Sequence, residues 1–234
     1  MFVVGIAYSA ICGIVRSTRI SHINEYYKWR CTDNNIPKSS PCGDQWPGLV
    51  CDSQEDLSTI IGISLPQAGI RGYLSDDVFA LTSLQYLDIS GNELSGTIPD
   101  TIGDLQELLY LNLGGNKFSG TIPSLIGSIS ALKYLFMTDA NLTGTVPQSF
   151  GNLNNLTTMV MNFNKFSGTL PTALVKLDSL VMLDMSFNML TGTMPDSMGD
   201  LTNLQMLDVS DNKFSGTIPT SMFEMDNMVV FFTS

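Results

Sequence analysis

Apolar and polar positions follow a pattern that repeats every 24 residues from residue 57 to residue 234. Each unit begins with three spaced aliphatic residues, such as Leu84, Leu87 and Ile89, and continues with an asparagine and another leucine. The apolar pair around Asp88 predicts a short β-strand whose alternate side chains point inward, with Asp88 on the exposed face. Because one such coil is too small to bury its own core, successive coils are expected to stack on one another.

Glycine, proline and asparagine mark the turns of this repeat. Glycine permits a positive-φ bend, and proline fixes φ where the chain turns onto its other face. The glycines are Gly72, Gly96, Gly120, Gly144, Gly168, Gly192 and Gly216, and the prolines are Pro99, Pro123, Pro147, Pro171, Pro195 and Pro219. An asparagine at each strand end can satisfy backbone groups of its own and neighbouring coils, which predicts an internal ladder. The ladder residues are Asn92, Asn116, Asn164, Asn188 and Asn212.

One coil departs from the pattern. Ala140 occupies the ladder position and Asn141 follows one residue later, although Gly144 and Pro147 keep the register. The ladder is therefore expected to be interrupted in this coil. At the other end, the residues from Met228 onwards begin a further coil.

The pattern LxxLxLxxNxLSGTIPxxIGxL resembles the plant-type leucine-rich repeats of receptor-kinase ectodomains and polygalacturonase-inhibiting proteins, over roughly residues 24–234. Trp29 and the segment PCGDQWPGLVC resemble the N-terminal cap of that family. The resemblance implies an α/β repeat solenoid, in which a right-handed superhelix carries a concave parallel β-sheet, a short second sheet and a convex side of 3₁₀ or irregular segments. We therefore expect a signal peptide or anchor remnant in residues 1–19, a cap in residues 20–56 and repeats in residues 57–234, the last one incomplete.

All four cysteines lie before the repeats. Cys42 and Cys51 bracket Trp46 at a spacing suited to a local disulfide in an oxidising compartment, and free buried thiols are the alternative. The apolar amino-terminal stretch suits a signal peptide, but no basic residue precedes it, so an anchor remnant or a misplaced start remains open. Cleavage of such a signal would remove Cys12 and leave Cys31 without an obvious partner.

The charge of the chain and its lack of catalytic motifs narrow the function further. A formal net charge of -11 would repel phosphate backbones, so nucleic acid is not expected as a partner. The single histidine, His22, precedes the repeats, and the sequence shows no phosphate-binding glycine loop, no metal-spaced His or Cys cluster and no nucleophile with a plausible base. We expect a binding protein rather than an enzyme, with no cofactor and no metal.

Outward positions of neighbouring strands line up across coils at a spacing of about 4.8 Å. In the middle coils these positions are aromatic or apolar, which predicts an exposed binding patch, although the side chains could simply pack on one another. The candidate ligand-binding residues are Tyr110, Tyr134, Phe136, Val160, Phe163, Met182 and Phe187. Together with the resemblance, they indicate an extracellular module of receptor type, secreted or displayed on the cell surface, that holds a protein or peptide on its concave face. Membrane attachment would lie in segments outside this chain.

Two other functions remain open. A secreted inhibitor of a cell-wall hydrolase would follow from the inhibitor relatives, but basic residues on the concave face are sparse, with Lys133 nearly alone. A structural protein that binds ice or a polysaccharide could use outward hydroxyl columns. One column is Thr97, Thr121, Thr145, Thr169, Thr193 and Thr217, and the other is Ser95, Ser119, Thr143, Ser167, Thr191 and Ser215.

Carboxylates and glycosylation sequons are further candidate sites. The carboxylates could select a basic partner or hold a cation, but a solvated strand face is the simpler interpretation for most of them. They are Asp88, Asp139, Asp184, Asp208 and Asp211. Asn141 and Asn155 begin N-x-T sequons and are the candidate glycosylation sites.

Overall fold

The fold is given by a computed structural model, which describes residues 40–52 and 59–233. The first predicted region, Cys12, Cys31 and most of the predicted cap lie outside the described residues. The strands are β1 (Leu49–Cys51), β2 (Ile60–Ser64), β3 (Arg71–Tyr73), β4 (Tyr86–Asp88), β5 (Glu93–Gly96), β6 (Tyr110–Asn112), β7 (Lys117–Phe118), β8 (Tyr134–Phe136), β9 (Thr143–Gly144), β10 (Thr158–Val160), β11 (Lys165–Gly168), β12 (Met182–Asp184), β13 (Met189–Gly192), β14 (Met206–Asp208), β15 (Lys213–Phe214) and β16 (Val230–Phe232). The 3₁₀ helices are η1 (Asp76–Ala80), η2 (Asp100–Asp104), η3 (Ser124–Ser128), η4 (Gln148–Asn152), η5 (Thr172–Lys176), η6 (Asp196–Asp200) and η7 (Thr220–Glu224).

The predicted parallel sheet is confirmed. Nine strands pair in the order β1-β2-β4-β6-β8-β10-β12-β14-β16. Every pair from β2 onwards is parallel and keeps one register, so Tyr86 lies beside Tyr110 and Tyr110 beside Tyr134. Among these nine strands, β1 alone, which lies in the predicted cap, runs antiparallel to its neighbour β2. Coils of equal length thus place equivalent residues side by side along the sheet.

The core runs the length of the solenoid behind this sheet. In the six strands of this sheet from β4 to β14, the central residue points inward and is fully buried, because the coils on either side cover it. These residues are Leu87, Leu111, Leu135, Met159, Leu183 and Leu207, each 0% exposed. Burial of one such side chain stabilises the fold by about 1.5–3 kcal/mol.

The 3₁₀ helices form the other side of each coil. From η2 onwards each begins directly after a proline of the repeat, and η1 begins after Ser75, whose side chain accepts a hydrogen bond from the Asp77 backbone. The part of the chain that the structure describes contains no α-helix. The helical component of the expected α/β solenoid is therefore 3₁₀, as the family resemblance implied for the convex side.

The predicted asparagine ladder is confirmed. The Asn164 Oδ1 atom accepts a hydrogen bond from the Leu142 backbone at 3.0 Å, and its Nδ2 atom donates to the carbonyls of Met137 and Met161 at 2.6 and 3.2 Å. One amide side chain thus links three segments from two neighbouring coils. Equivalent bonds are made by Asn92, Asn116, Asn188 and Asn212.

The predicted interruption at Ala140 is also present, and it divides the second sheet. That sheet consists of a three-stranded part, β3-β5-β7, and a four-stranded part, β15-β13-β11-β9. Asn141 adopts a positive φ of 58°, and its side-chain Nδ2 donates to the Phe118 carbonyl at 2.6 Å. In the next coil the equivalent carbonyl, that of Leu142, accepts instead from the Lys165 backbone. A side-chain amide has therefore replaced the backbone donor where the sheet divides.

Both hydroxyl columns face outward, as predicted, and both take part in coil-to-coil packing. The Thr143 hydroxyl donates to the Gly120 carbonyl at 3.0 Å, and Ser95 makes the equivalent bond. In the other column, the Thr145 methyl group lies where a Cβ atom on Gly168 would be only 2.9 Å away. The structure thus supplies an internal reason for the repeated hydroxyls and the glycines beside them.

Candidate ligand-binding face

The outward residues of β4, β6 and β8 form an aromatic cluster on the nine-stranded sheet. Tyr86 and Tyr110 stack with ring centroids 4.4 Å apart and planes inclined by 13°. Tyr110 also contacts Tyr134 and Phe136, at centroid distances of 6.1 and 5.5 Å. The parallel register produces this arrangement, because it places the same position of each coil beside the next. We call these four residues the tyrosine cluster.

The tyrosine cluster borders an open groove of about 570 Å³. The groove is mainly apolar, and it has polar groups from tyrosine, Gln85 and Lys133 at its margin. Its lining comprises Val50, Ile61, Gly62, Gln85, Tyr86, Leu109, Tyr110, Lys133 and Tyr134. Tyr86 and Val50 were not among the predicted site residues. The signal for Tyr86 was its place in the same repeat position as Tyr110, whereas Val50 enters through the antiparallel cap strand.

Asp88 was predicted on the exposed face, and that prediction is wrong. The residue is only 7% exposed, and its Oδ1 atom accepts hydrogen bonds from the Ser90 hydroxyl at 2.6 Å and the Ser90 backbone at 3.0 Å. Burial, followed by the charge of Asp88, raises the pKa of Tyr86 to about 12. The carboxylate is occupied by its own turn because the serine two residues later lies within reach.

Two more carboxylates repeat this arrangement. Asp184 is 8% exposed and accepts from the Ser186 hydroxyl at 2.7 Å, and Asp208 accepts from the Ser210 hydroxyl at 2.6 Å. A solvated strand face, the expectation for these aspartates, does not describe the buried Asp184. Asp139 is the contrasting case, since it is exposed. Within residues 40–52 and 59–233, no group of three His, Cys, Asp or Glu residues is arranged to hold a metal ion.

The rest of the predicted patch lies on later coils. Val160 and Met182 are half-buried on β10 and β12. Phe163 and Phe187 occupy the turns after these strands, where they are 50% and 44% exposed, and their rings stack at 4.3 Å with planes inclined by 7°. We call this pair the phenylalanine stack. Five of the seven predicted residues thus fall into two separate groups, the tyrosine cluster and the phenylalanine stack. Val160 and Met182 belong to neither group.

The cap disulfide and the two sequons have also been located. Cys42 and Cys51 form a disulfide with Cα atoms 5.8 Å apart, and Cys42 is buried with Trp46. Asn155 is exposed, and its amide donates to the Ser130 carbonyl at 2.8 Å. The Asn141 amide is held by the Phe118 carbonyl. Glycosylation at both positions stays a prediction.

No helix among the described residues is long and apolar enough to cross a membrane.

Comparison with known proteins places this architecture in a family. The leucine rich repeat family matches residues 73–118, 130–190 and 154–214, which together cover more than half of the chain. The chain is 44% identical over 57 residues to Protein STRUBBELIG of Arabidopsis thaliana, a stretch that covers 24% of this chain and 7% of that protein. The chain therefore spans only a small part of this relative.

Solved structures of plant receptor ectodomains share the fold. The crystal structure of PEPR1-AtPEP1 superposes with a TM-score of 0.86 at 28% identity, covering 96% of this chain and 31% of that one. The Arabidopsis receptor kinase HAESA, in complex with the peptide hormone IDA and the co-receptor SERK1, gives a TM-score of 0.82 at 25% identity, covering 95% and 36%. Repeat motif, register, ladder and relatives agree, and the chain belongs to the leucine rich repeat family, in its plant type.

Proposed function

We propose that this chain is an extracellular binding module of receptor type that holds a protein or peptide ligand on the open face of its nine-stranded sheet. The observation that carries the proposal is the groove beside the tyrosine cluster, where Tyr134 is 42% exposed above an apolar lining. The groove is open along the sheet and has a volume of about 570 Å³. Exposed aromatic residues of this kind are typical anchors of interfaces.

The chemistry of the groove favours an extended partner with apolar side chains. Tyrosine rings offer large contact areas with few rotatable bonds, so they lose little conformational entropy when a ligand covers them. Stacking between Tyr86 and Tyr110 further restricts both rings before any ligand arrives. The binding role requires no cofactor and no catalytic residue.

Two similarities support the same proposal. The PEPR1 structure is a complex with AtPEP1, and the HAESA structure contains the peptide hormone IDA. Both share this fold at 25% identity or more. These similarities support a peptide ligand for this chain.

The cap disulfide supports an extracellular location, because disulfides persist in oxidising compartments. We propose a signal peptide or anchor remnant in residues 1–19, a cap in residues 20–56 and repeats in residues 57–234. The antiparallel pairing of β1 with β2 favours a boundary between cap and repeats in this part of the chain. Segments outside the chain could also attach it to a membrane.

The test selects peptides from a random library on the immobilised chain and measures their affinity by calorimetry. The variant combines Tyr134→Ala with Phe136→Ala, and the matched control, Leu125→Ala, removes a side chain that is 48% exposed on η3. We expect the double variant to weaken binding at least tenfold, and the control to leave it unchanged. Circular dichroism checks that both remain folded.

Equal affinity of the selected peptides for the wild type and the folded double variant would overturn the proposal. Failure to select any peptide above background would count against a peptide-binding role as well. Loss of binding in Leu125→Ala alone would place the interface on the side that carries the 3₁₀ helices.

A further inference from the structure

One position in every coil adopts a left-handed backbone conformation, directly before the ladder position. Its φ values lie between 50° and 65°, within the left-handed region. The backbone N–H of each member up to Phe187 donates to the carbonyl of the residue that precedes the next member, as Asp139 does to Asn162 at 3.0 Å. We call this row the turn column. Its members are Gln67, Gly91, Gly115, Asp139, Phe163, Phe187 and Asp211.

Two phenylalanines in this column are unexpected on backbone grounds. A Cβ atom is crowded in the left-handed region, and bulky residues are rarely found there. Phe163 and Phe187 nevertheless have φ values of 54° and 53°, whereas glycine fills the same position at Gly91 and Gly115. Phe163 is 50% exposed to solvent and Phe187 is 44% exposed. Neither backbone geometry nor core packing therefore accounts for the phenylalanine stack.

Asp139 stands one coil before the stack and lines an open groove of about 510 Å³. The groove is lined by Asn92, Gly115, Asn116, Lys117, Asp139 and Asn141. Gly115, the preceding member of the turn column, contributes no side chain to this groove. Asp139 is exposed, and among the described residues its carboxylate forms no ion pair and no hydrogen bond.

Cations near this groove already have partners. Lys117 pairs with Glu93 at 2.9 Å, and Lys165 donates to the Asn141 side chain at 2.7 Å. Arg71, the only arginine among the described residues, also pairs with Glu93. A positive group that meets Asp139 would therefore come most directly from a partner.

The carboxylate of Asp139 and the ring of Phe163 together favour one kind of cation. Phe187 covers one face of the Phe163 ring, so the other face is turned towards the preceding coil, in which Asp139 occupies the turn column. An aromatic face carries partial negative charge and attracts a cation, and a carboxylate on the same side adds to that attraction. A guanidinium group is planar, stacks on aromatic rings and pairs with carboxylates, which an ammonium group does less well.

We propose that Asp139 and the phenylalanine stack form a slot for an arginine side chain of the protein or peptide ligand. The carboxylate pairs with the guanidinium edge, and Phe163 supports its plane. This inference rests on the proposed binding function and adds a chemical requirement to it, since it predicts a ligand with an arginine next to the part that covers the tyrosine cluster.

The test needs no natural ligand. Titration of the chain with N-acetyl-arginine methylamide is followed by NMR, with N-acetyl-lysine methylamide and the neutral isostere N-acetyl-citrulline methylamide as comparison probes. The variants are Asp139→Asn and Phe163→Gly, both compatible with a left-handed turn. Asp200→Asn is the matched control, because it removes one exposed carboxylate at the end of η6.

We expect the arginine probe to bind more tightly than either comparison probe and to give contacts with the Phe163 ring. Asp139→Asn and Phe163→Gly should each weaken it about tenfold, and Asp200→Asn should not. Equal binding of citrulline, or an equal loss in Asp200→Asn, would overturn the slot. The Tyr134 and Phe136 double variant should keep the arginine probe while losing selected peptides, so failure of the slot and failure of the proposed function give different results.

Discussion

Two pairs of residues in the turn column, one on each side of Asp139, share a backbone conformation and differ in their side chains. Gly91 and Gly115 have φ values of 65° and 62°, and Phe163 and Phe187 have 54° and 53°. Glycine adopts this conformation without strain, whereas phenylalanine does so against a cost of about 1–2 kcal/mol. The repeat therefore determines the backbone conformation at this position, but it does not determine which side chain stands there. A bulky residue at such a position therefore merits examination as a binding residue.

The coil between these two regions separates them structurally as well. Asp139 and Asn141 both have positive φ, and Ala140 between them lacks the amide that links the other coils. The second sheet divides at this coil, although the nine-stranded sheet and the core continue through it. Gly91 and Gly115 thus precede strands of the three-stranded part of the second sheet, and Phe163 and Phe187 precede strands of its four-stranded part.

The largest expected effect comes from breaking the ladder where it resumes after the gap. Asn164→Ala removes the buried amide that satisfies backbone groups of Leu142 and Met137, and it should destabilise the chain by about 3–5 kcal/mol. Urea denaturation measures the loss. The control is Asn203→Ala, because Asn203 is exposed and, among the described residues, its side chain donates to the Asp178 carbonyl alone. A loss in Asn164→Ala no larger than that of the control would refute the role given to the ladder.

A smaller effect is expected in the glycine half of the turn column. Gly115→Ala places a Cβ atom 3.1 Å from the Gly91 backbone and forces alanine into the left-handed region. We expect a loss of about 2 kcal/mol in the free energy of unfolding, measured in urea. Gly69→Ala is a useful control, because it is also left-handed but has no neighbour within 4 Å of an added Cβ atom. Gly115→Ala should therefore cost more than this control, and a reversed order would contradict the account.

The phenylalanine half should behave differently. Phe163→Gly relieves about 1–2 kcal/mol of backbone strain and loses a ring contact worth about 0.5–1.5 kcal/mol, so its net effect on stability should stay within about 1 kcal/mol. The same urea experiment checks this. A loss above 3 kcal/mol would show that Phe163 serves the fold, and the contrast between the two halves of the turn column would disappear.

The smallest effect concerns the three-stranded part of the second sheet, where exposed Glu93 joins Lys117 and Arg71. Hydrogen bonds from Lys117, then those from Arg71, hold the pKa of Glu93 below its ordinary value. A carboxyl whose pKa falls on folding stabilises the native state above the ordinary glutamate pKa, and this contribution is lost as the pH drops through the lowered pKa. Glu93→Gln should therefore lower the urea midpoint slightly at pH 7 and less at pH 3.

High salt should reduce that difference at pH 7, because both ion pairs are exposed and screened. Lys213→Gln, in the four-stranded part, is the control, since no ion pair of Lys213 is formed among the described residues. A difference between wild type and Glu93→Gln that grows as the pH falls would contradict the assigned direction.

Much of the fold was predictable because the repeat signals are local. Asparagine at the end of each strand and proline before each 3₁₀ helix act within a few residues of their own position, so their spacing predicted the register, the ladder and its gap at Ala140. The candidate site was less predictable. The sequence placed Tyr134 and Phe163 in one patch, but ring contacts divide the patch into two groups, and Tyr86 was missed.

The sequence by itself determined the coil length, the parallel sheet, the inward leucines and the family. Tertiary structure decided that Asp88 is buried, that Asn141 replaces a backbone donor and that Asp139 lies unpaired beside the phenylalanine stack. The physical reason is that these outcomes depend on which side chains meet across neighbouring coils and which hydrogen-bonding partner lies nearest. The repeat period predicts which coils are adjacent, but the directions of their side chains depend on how the coils pack.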